Sequence, residues 1–320
     1  MTVAVEDGGS LRHIAMFYRS PKEYLDCLAP FVADSVSAGF PVLVAVPEPG
    51  LALLHDALAD ITSPGKPATL TDMSRVGRNP GHILGGVLGT FAAQHPTGPV
   101  RLVGEPVWNG RSKLEYPACV QHEALVNQAF AGRDITVLCP YDATHLDSDI
   151  LVDAEVTHPR LTGPGVPERT SPGFAPDAAW ARYNEPLPSS PTAASYTLHR
   201  LTDLAGARQF SAKYARWFGF SPTDIADLQL IVNELASNSL QHGRGPCTLL
   251  LWESGDQLIC QVRDSGQLAD PLAGRRPIIR DDGANGYGLF VVNATADLVR
   301  IHTATTGTTV QAHLSMRKSA

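Results

Sequence analysis

Three short stretches in the second half of the chain carry residue types that could act on a phosphorylated ligand. The first is Asn233-Glu234-Leu-Ala-Ser-Asn238-Ser-Leu-Gln-His242-Gly243. Leu228, Ile231, Val232 and Leu235 recur at helical spacing and form an apolar stripe. At about 100° per residue, Glu234 and Asn238 fall within about 40° of each other on the rim of that stripe. A carboxylate and a carboxamide one turn apart could divide the work of phosphoryl transfer, the amide oxygen suiting a hard Mg2+ and the carboxylate orienting or deprotonating an attacking hydroxyl. An ordinary solvated helix face accounts for the same pair taken alone. The second stretch is Val262-Arg-Asp264-Ser-Gly266. An Asp at the end of an apolar strand can accept a hydrogen bond from an exocyclic amine, and the Gly lets the backbone approach a ligand, although a plain Asp-Ser-Gly turn fits as well. The third is Gly283-Ala-Asn-Gly286-Tyr-Gly288-Leu289, whose glycines precede a helical pattern. Their unencumbered N–H groups and the positive helix end could meet an anion, or could simply form a tight entry into the helix.

These stretches need elements to hold them. Ser195–Leu201 reads as a strand, Asp203–Phe218 as a helix, and Ser221-Pro-Thr-Asp as the start of another. Cys247–Trp252 and Gln257–Val262 flank Glu253-Ser-Gly-Asp256 as a hairpin, and Leu298–Thr303 and Thr308–Leu314 follow as two last strands. Helices on one face of a mostly antiparallel sheet, an α+β sandwich, is the expected arrangement. The first half alternates apolar runs, Pro41–Val46, Val100–Val103 and Asp134–Cys139, with helical patterns. In Lys22–Gly39 the residues Tyr24, Leu28, Phe31, Val32 and Ser35 share one face and Gly39 stands at the C-cap position. Such alternation implies a largely parallel α/β sheet. Its candidate ligand contacts are His13, Arg101, Glu105 and Trp108, polar or aromatic residues near predicted strand ends. A hydrogen-bonded core histidine and an Arg101–Glu105 ion pair are the structural alternatives.

Eight prolines between Pro159 and Pro191, with Gly, Ser and Thr among them, read as a semi-extended linker. The expected division is a first unit at 1–158, a linker at 159–194 and a second unit at 195–316. The 320 residues are 43% hydrophobic and 18% charged, which excludes wholesale disorder, and a net charge of −7 argues against direct DNA binding as the main activity. No apolar run reaches the ~20 residues that a membrane span needs. Met1–Ser10 carries acids rather than a basic start and an apolar stretch, so a cytoplasmic location is expected. Cys27, Cys119, Cys139, Cys247 and Cys260 include no CxxC pair, so neither a disulfide framework nor a zinc site is suggested, and His55, His82, His95, His122 and His145 show no metal spacing.

Taken in this order and spacing, the three stretches make the second unit, over nearly all of Ser195–Met316, resemble the GHKL (Bergerat) ATPase fold. The branch is that of the anti-sigma factor serine/threonine kinases. The resemblance implies ATP and Mg2+, with Glu234 as base, Asn238 holding Mg2+, Asp264 and Gly266 at adenine, and Gly286 and Gly288 in the phosphate lid. Gly307-Thr308-Thr309-Val310 is similar to the strand whose first Thr, Thr308, supports adenine through a water. Where the family often has Asp-x-Gly-x-Gly, this chain has Asp264-Ser-Gly266-Gln267-Leu268, which bears on the lid and on ATP turnover. No helical hairpin with a phospho-acceptor His precedes the unit, which disfavours a self-phosphorylating sensor kinase.

The first unit resembles the MEDS sensory domain, a relative of the RecA/KaiC-like ATPase fold found beside actinobacterial anti-sigma modules. The resemblance rests on His13-Ile-Ala-Met-Phe17-Tyr18, Tyr24, Pro30-Phe31, Gly39–Val44, Arg101–Trp108, Glu115-Tyr116, Glu123–Asn127, Cys139-Pro-Tyr141-Asp142 and His158-Pro159. Pro47-Glu-Pro-Gly50 stands where a phosphate loop would follow a strand, so this unit is expected to bind a small-molecule signal and not to hydrolyse nucleotide. Together the resemblances imply a kinase that phosphorylates a STAS-type anti-anti-sigma protein and captures a sigma factor, commonly as a homodimer through the ATPase unit. The alternatives are a non-catalytic module that grips a sigma factor or another regulator, and an accessory protein of histidine-kinase type.

Overall fold

The computed structural model describes residues 10–59, 68–278 and 287–315. The chain divides into two compact units, Met1–Tyr183 and Asn184–Ala320.

In the first unit the elements are β1 (Arg12–Tyr18), α1 (Pro21–Ser37), β2 (Val42–Val46), α2 (Gly50–Ala57) and β3 (Ala68–Asp72). A helical run follows: α3 (Met73–Val76), α4 (Pro80–His82), a π-helix (Ile83–Gly89) and α5 (Thr90–Gln94). Then come β4 (Val100–Gly104), α6 (Tyr116–Ala129), β5 (Ile135–Asp142), α7 (Ser148–Thr157), β6 (Arg160–Gly163), β7 (Val166–Thr170) and α8 (Pro176–Arg182). The strands form a seven-stranded sheet in the order β3-β2-β4-β5-β1-β6-β7. All neighbours are parallel except β6 and β7. The central strands β2, β4 and β5 are buried almost throughout, which is why they read as continuous apolar runs. Tyr24, Leu28, Phe31, Val32 and Ser35 are the buried face of α1, and the first four pack with Ile14, Met16 and the β2 valines.

The stretch expected to be a linker is largely folded. β6 pairs with β1, β7 closes that edge of the sheet, and α8 follows in the same unit. Its prolines occupy positions that need no ladder donor: Pro164 lies in the β6–β7 turn, Pro167 on the edge strand and Pro176 at the start of α8. The remainder, from Asn184, lies on the second unit. The Asn184 amide pairs with the backbone of Thr303 at 2.8 and 3.0 Å, and the Pro188 carbonyl accepts from Gln311 Nε2.

The second unit contains β8 (Ala194–Leu198), α9 (Leu204–Trp217), α10 (Pro222–His242), β9 (Cys247–Ser254), β10 (Gln257–Asp264), α11 (Tyr287–Thr295), β11 (Leu298–Ala304) and β12 (Gly307–Ser315). Its five-stranded sheet runs β11-β12-β10-β9-β8, every pair antiparallel. One core joins Leu228, Ile231, Val232 and Leu235 of α10 to Leu249, Leu251, Leu258, Val262 and Val310 of the sheet, with Leu289 and Val292 of α11 alongside. This is the α+β sandwich expected for the unit. Among the described residues, no helix is long and apolar enough to cross a membrane.

Candidate functional site

Helix α10 begins at Ser221, whose hydroxyl accepts from the Asp224 backbone N–H, and it runs its apolar stripe into the core as far as Ser239. Its last turns therefore present Asn238, Ser239 and His242 beside the end of β10. The Asp264 carboxylate at that strand end accepts from Ser239 Oγ at 2.6 Å and from the Gly266 backbone N–H at 2.7 Å. These two donors orient the carboxylate and leave lone pairs for a further partner. A Cβ on Gly266 would lie 2.7 Å from Gly243 Cα and 3.0 Å from the His242 carbonyl oxygen, so only glycine lets the loop meet the end of α10. The Thr308 hydroxyl donates to the Gly266 carbonyl at 3.0 Å and accepts from the Leu268 N–H at 3.1 Å. Thr303 Oγ1 joins the same group, 2.9 Å from Thr308 Oγ1 and 2.9 Å from the Leu268 nitrogen.

Asn238, Asp264, Gly266 and Thr308 thus line one cavity of about 340 Å3. Leu235, Leu268, Ala273, Leu289 and Val310 supply its apolar walls, and Ser239, His242 and Asp270 further polar groups. An apolar cleft with a few convergent polar groups is the usual form of a small-molecule site, and this volume lies at the small end of such clefts. Asp270 also pairs with Arg276, whose guanidinium draws its carboxyl below the ordinary range.

Glu234 stands one turn before Asn238, outside the cavity lining. Its carboxylate accepts from Asn233 Nδ2 at 3.2 Å, and Asn233 Oδ1 accepts from Arg208 Nη1 on α9 at 2.6 Å. Gly288, in the first turn of α11, covers both residues: a Cβ there would lie 2.8 Å from Glu234 Oε2 and 2.8 Å from Asn238 Nδ2. Gly286 lies outside the described residues. Sequence reasoning did not assign roles to Ser239, Thr303 or Arg208. Ser239 could have been found as the polar residue next to Asn238 on a face that points toward the strand end. Arg275 was missed too. It is 2% exposed in the segment before α11, burial lowers it to about 10, and its Nη1 has no hydrogen-bond partner among the described residues.

The four candidates of the first unit do not meet in one place. Arg101, the second residue of β4, stacks on Phe40 at 4.6 Å and reaches Asp134 at 3.5 Å. Glu105 follows the opposite end of that strand and accepts from Tyr24 Oη at 3.2 Å, so the Arg101–Glu105 ion pair that stood as the structural alternative does not form. Burial pushes the Glu105 carboxyl up to about 8. Trp108 lies under the Arg111 guanidinium at 3.7 Å. His13 is fully buried, between Asn127 and Glu123.

Comparison with known proteins finds one family match within each unit. Residues 12–159 match the MEDS family, described as the methanogen/methylotroph DcmR sensory domain, and residues 198–314 match the histidine kinase-like ATPase domain family. The chain joins a MEDS domain to a histidine kinase-like ATPase domain. No curated protein matches it. Among solved structures it is similar to the RsbU and RsbW domains of Rv1364c from Mycobacterium tuberculosis, at 18% identity and a TM-score of 0.31, over 40% of this chain and 34% of that one. It is also similar to the Acinetobacter baumannii histidine kinase AdeS, at 12% identity and a TM-score of 0.25, over 39% of this chain and 68% of that one. The match thus spans about a third of the mycobacterial chain. A sensory domain joined to an ATPase domain of this type is the composition of a signalling regulator.

Proposed function

We propose that the ATPase domain binds ATP with Mg2+ at the end of α10 and phosphorylates a Ser or Thr of a STAS-type anti-anti-sigma partner, under the control of a small molecule bound by the MEDS domain. The observation that carries this reading is the convergence of Asn238, Asp264, Gly266 and Thr308 on one cavity, from α10, β10, the loop after it and β12. ATP would supply the transferable phosphoryl group. Asp264, held by Ser239 and the Gly266 N–H, would accept the exocyclic amine of the purine, and Thr308 would steady the loop against that ring. The donor chemistry suits Mg2+, because the Asn238 carboxamide offers a neutral oxygen beside the Glu234 carboxylate. Glu234, oriented by Asn233 and Arg208, would align the partner's hydroxyl and accept its proton. The backbone at Gly286 and Gly288 would face the phosphates, and a side chain at Gly288 would crowd the tips of Glu234 and Asn238. The unphosphorylated partner would compete with a sigma factor for this chain, so its phosphorylation would let the sigma factor be captured again. A homodimer through the ATPase domain belongs to the same reading.

Two observations favour a second reading, a nucleotide-binding grip on a regulator without phosphoryl transfer. Leu268 stands where the second motif glycine would be, and Glu234 lies outside the cavity lining. The test incubates the full chain, radiolabelled ATP, Mg2+ and STAS proteins from the same genome. Acid-stable label on a STAS protein that is lost with Glu234→Gln supports transfer. ATP binding with no label on any of them supports the grip, and acid-labile label on the chain itself would overturn both.

A further inference from the structure

The interior of the MEDS domain holds four metal-ligating side chains that the proposed activity does not use. His13 of β1, Glu123 of α6, Cys139 of β5 and His158, just after α7, each bring one ligand atom to within 4.8 Å of the others. All four are buried. Strand register explains the pairing of the first and third: His13 lies opposite Val137 and Ala15 opposite Cys139, so both side chains leave the same face of the sheet.

Four of the six spacings lie close to those of a tetrahedron. Around Zn2+ with bonds of about 2.0–2.1 Å to N or O and about 2.3 Å to S, the ligand atoms stand about 3.3–3.7 Å apart. Here His13 Nε2 is 3.1 Å and His158 Nε2 is 3.5 Å from Glu123 Oε2, while Cys139 Sγ is 3.5 Å from His13 Nε2 and 3.7 Å from Glu123 Oε2.

Hydrogen bonding outside the cluster sets which ring nitrogens carry protons. The Asn127 Nδ2 group donates to the Thr157 carbonyl at 2.8 Å, which turns its Oδ1 toward His13 Nδ1 at 3.2 Å and makes that nitrogen the donor. His158 Nδ1 donates to the Ala154 carbonyl at 2.8 Å. Both imidazoles therefore turn Nε2 lone pairs toward the same carboxylate oxygen. A single proton between Glu123 Oε2 and His13 Nε2 would satisfy that pair and leave His158 Nε2, fully buried and without a hydrogen-bond partner, facing an acceptor. One divalent cation satisfies all four groups, and with a thiolate and a carboxylate the site is neutral, as a dry interior requires. The outer contacts are those that fix ligands: Asn127 and the Ala154 carbonyl on the imidazoles, and Tyr141 Oη on Glu123 Oε1 at 3.1 Å.

We propose that His13, Glu123, Cys139 and His158 form a buried, closed site for a Zn2+-class transition-metal ion in the MEDS domain. Nitrogen and sulfur donors select such an ion over Mg2+ or Ca2+. With four protein ligands the ion has no open position, so its work is to tie β1, β5, α6 and the end of α7 together. The Cys139 thiol proton and the proton shared by Glu123 and His13 both pass to solvent as the ion binds.

The site is closed, so the ion must enter during folding. The full chain is therefore unfolded with chelator and refolded without metal, with Zn2+ or with Co2+. We expect about one tightly held ion per chain, a higher unfolding midpoint with Zn2+ than without, and a Co2+ spectrum with tetrahedral ligand-field bands and a thiolate-to-cobalt charge-transfer band. Cys139→Ser should lose the charge-transfer band. A chain that refolds equally well without metal and takes up neither ion overturns the site in favour of a proton-sharing cluster. A charge-transfer band that survives Cys139→Ser also overturns it, by placing the ion elsewhere. The wild-type measurements stand whether or not the variant folds.

Discussion

A Cβ on Gly266 would meet the backbone of Gly243 and His242, whereas one on Gly288 would meet only the tips of the Glu234 and Asn238 side chains. Backbone cannot move aside and side-chain tips can, so the two glycines should respond differently to alanine. Gly266→Ala should cost about 1–3 kcal/mol of stability, read by denaturant unfolding, and abolish ATP binding with it. Gly288→Ala should leave stability within about 0.5 kcal/mol and weaken ATP binding by displacing Asn238. Glu105 carries a different signature. Its folded-state value near 8 lies above the ordinary 4.5, so the folded protein keeps a proton that the unfolded chain releases. Stability should therefore fall as pH rises through that window, and Glu105→Gln should remove the fall. Urea unfolding of both proteins at the two ends of the window measures it. The buried histidines titrate in the opposite sense, but in both proteins alike, and drop out of the difference.

Helix α10 positions the candidate site, and its start is separable from its end. Ser221→Ala removes the N-cap and should lower stability by about 1 kcal/mol while leaving ATP affinity unchanged, a pair of results that unfolding and calorimetry together can check. The elements that could be read from the sequence are those whose burial is one-sided or complete. The five predicted face residues of α1 are its five buried residues, the α10 stripe is buried as read, and the β9–β10 hairpin extends two residues further on each strand than expected. What could not be read has a physical cause in each case. β7 is exposed at nearly every position and has neither an apolar run nor alternation, and α8 is a seven-residue helix that begins on a proline. The metal-ligating group leaves no spacing in the chain, because its members come from β1, α6, β5 and the residue after α7 and meet only through sheet register. The approach of Asp264 to Ser239 is likewise a tertiary contact, although both residues lie within or beside the quoted motifs.

At the scale of the whole chain, the proline-rich stretch is divided between the two units, its first part folding with one and the rest, from Asn184, with the other. β6 and β7 extend the sheet of the first unit, α8 folds in the same unit, and Asp153 of α7 pairs with Arg182 and accepts from Tyr116 and Tyr183. A chain ended after Tyr183 should therefore unfold cooperatively, and one ended after His158 should lose secondary structure and expose the β1 edge, outcomes that circular dichroism and amide exchange distinguish. The central claim is that the cavity at the end of α10 holds a nucleotide, and calorimetry of the intact chain with ATP, with and without Mg2+, tests it most directly. The account predicts binding that strengthens with Mg2+, is lost in Asp264→Asn and loses its Mg2+ dependence in Asn238→Ala. Absence of binding by the folded wild-type chain up to millimolar ATP, or undiminished binding by Asp264→Asn, would contradict it.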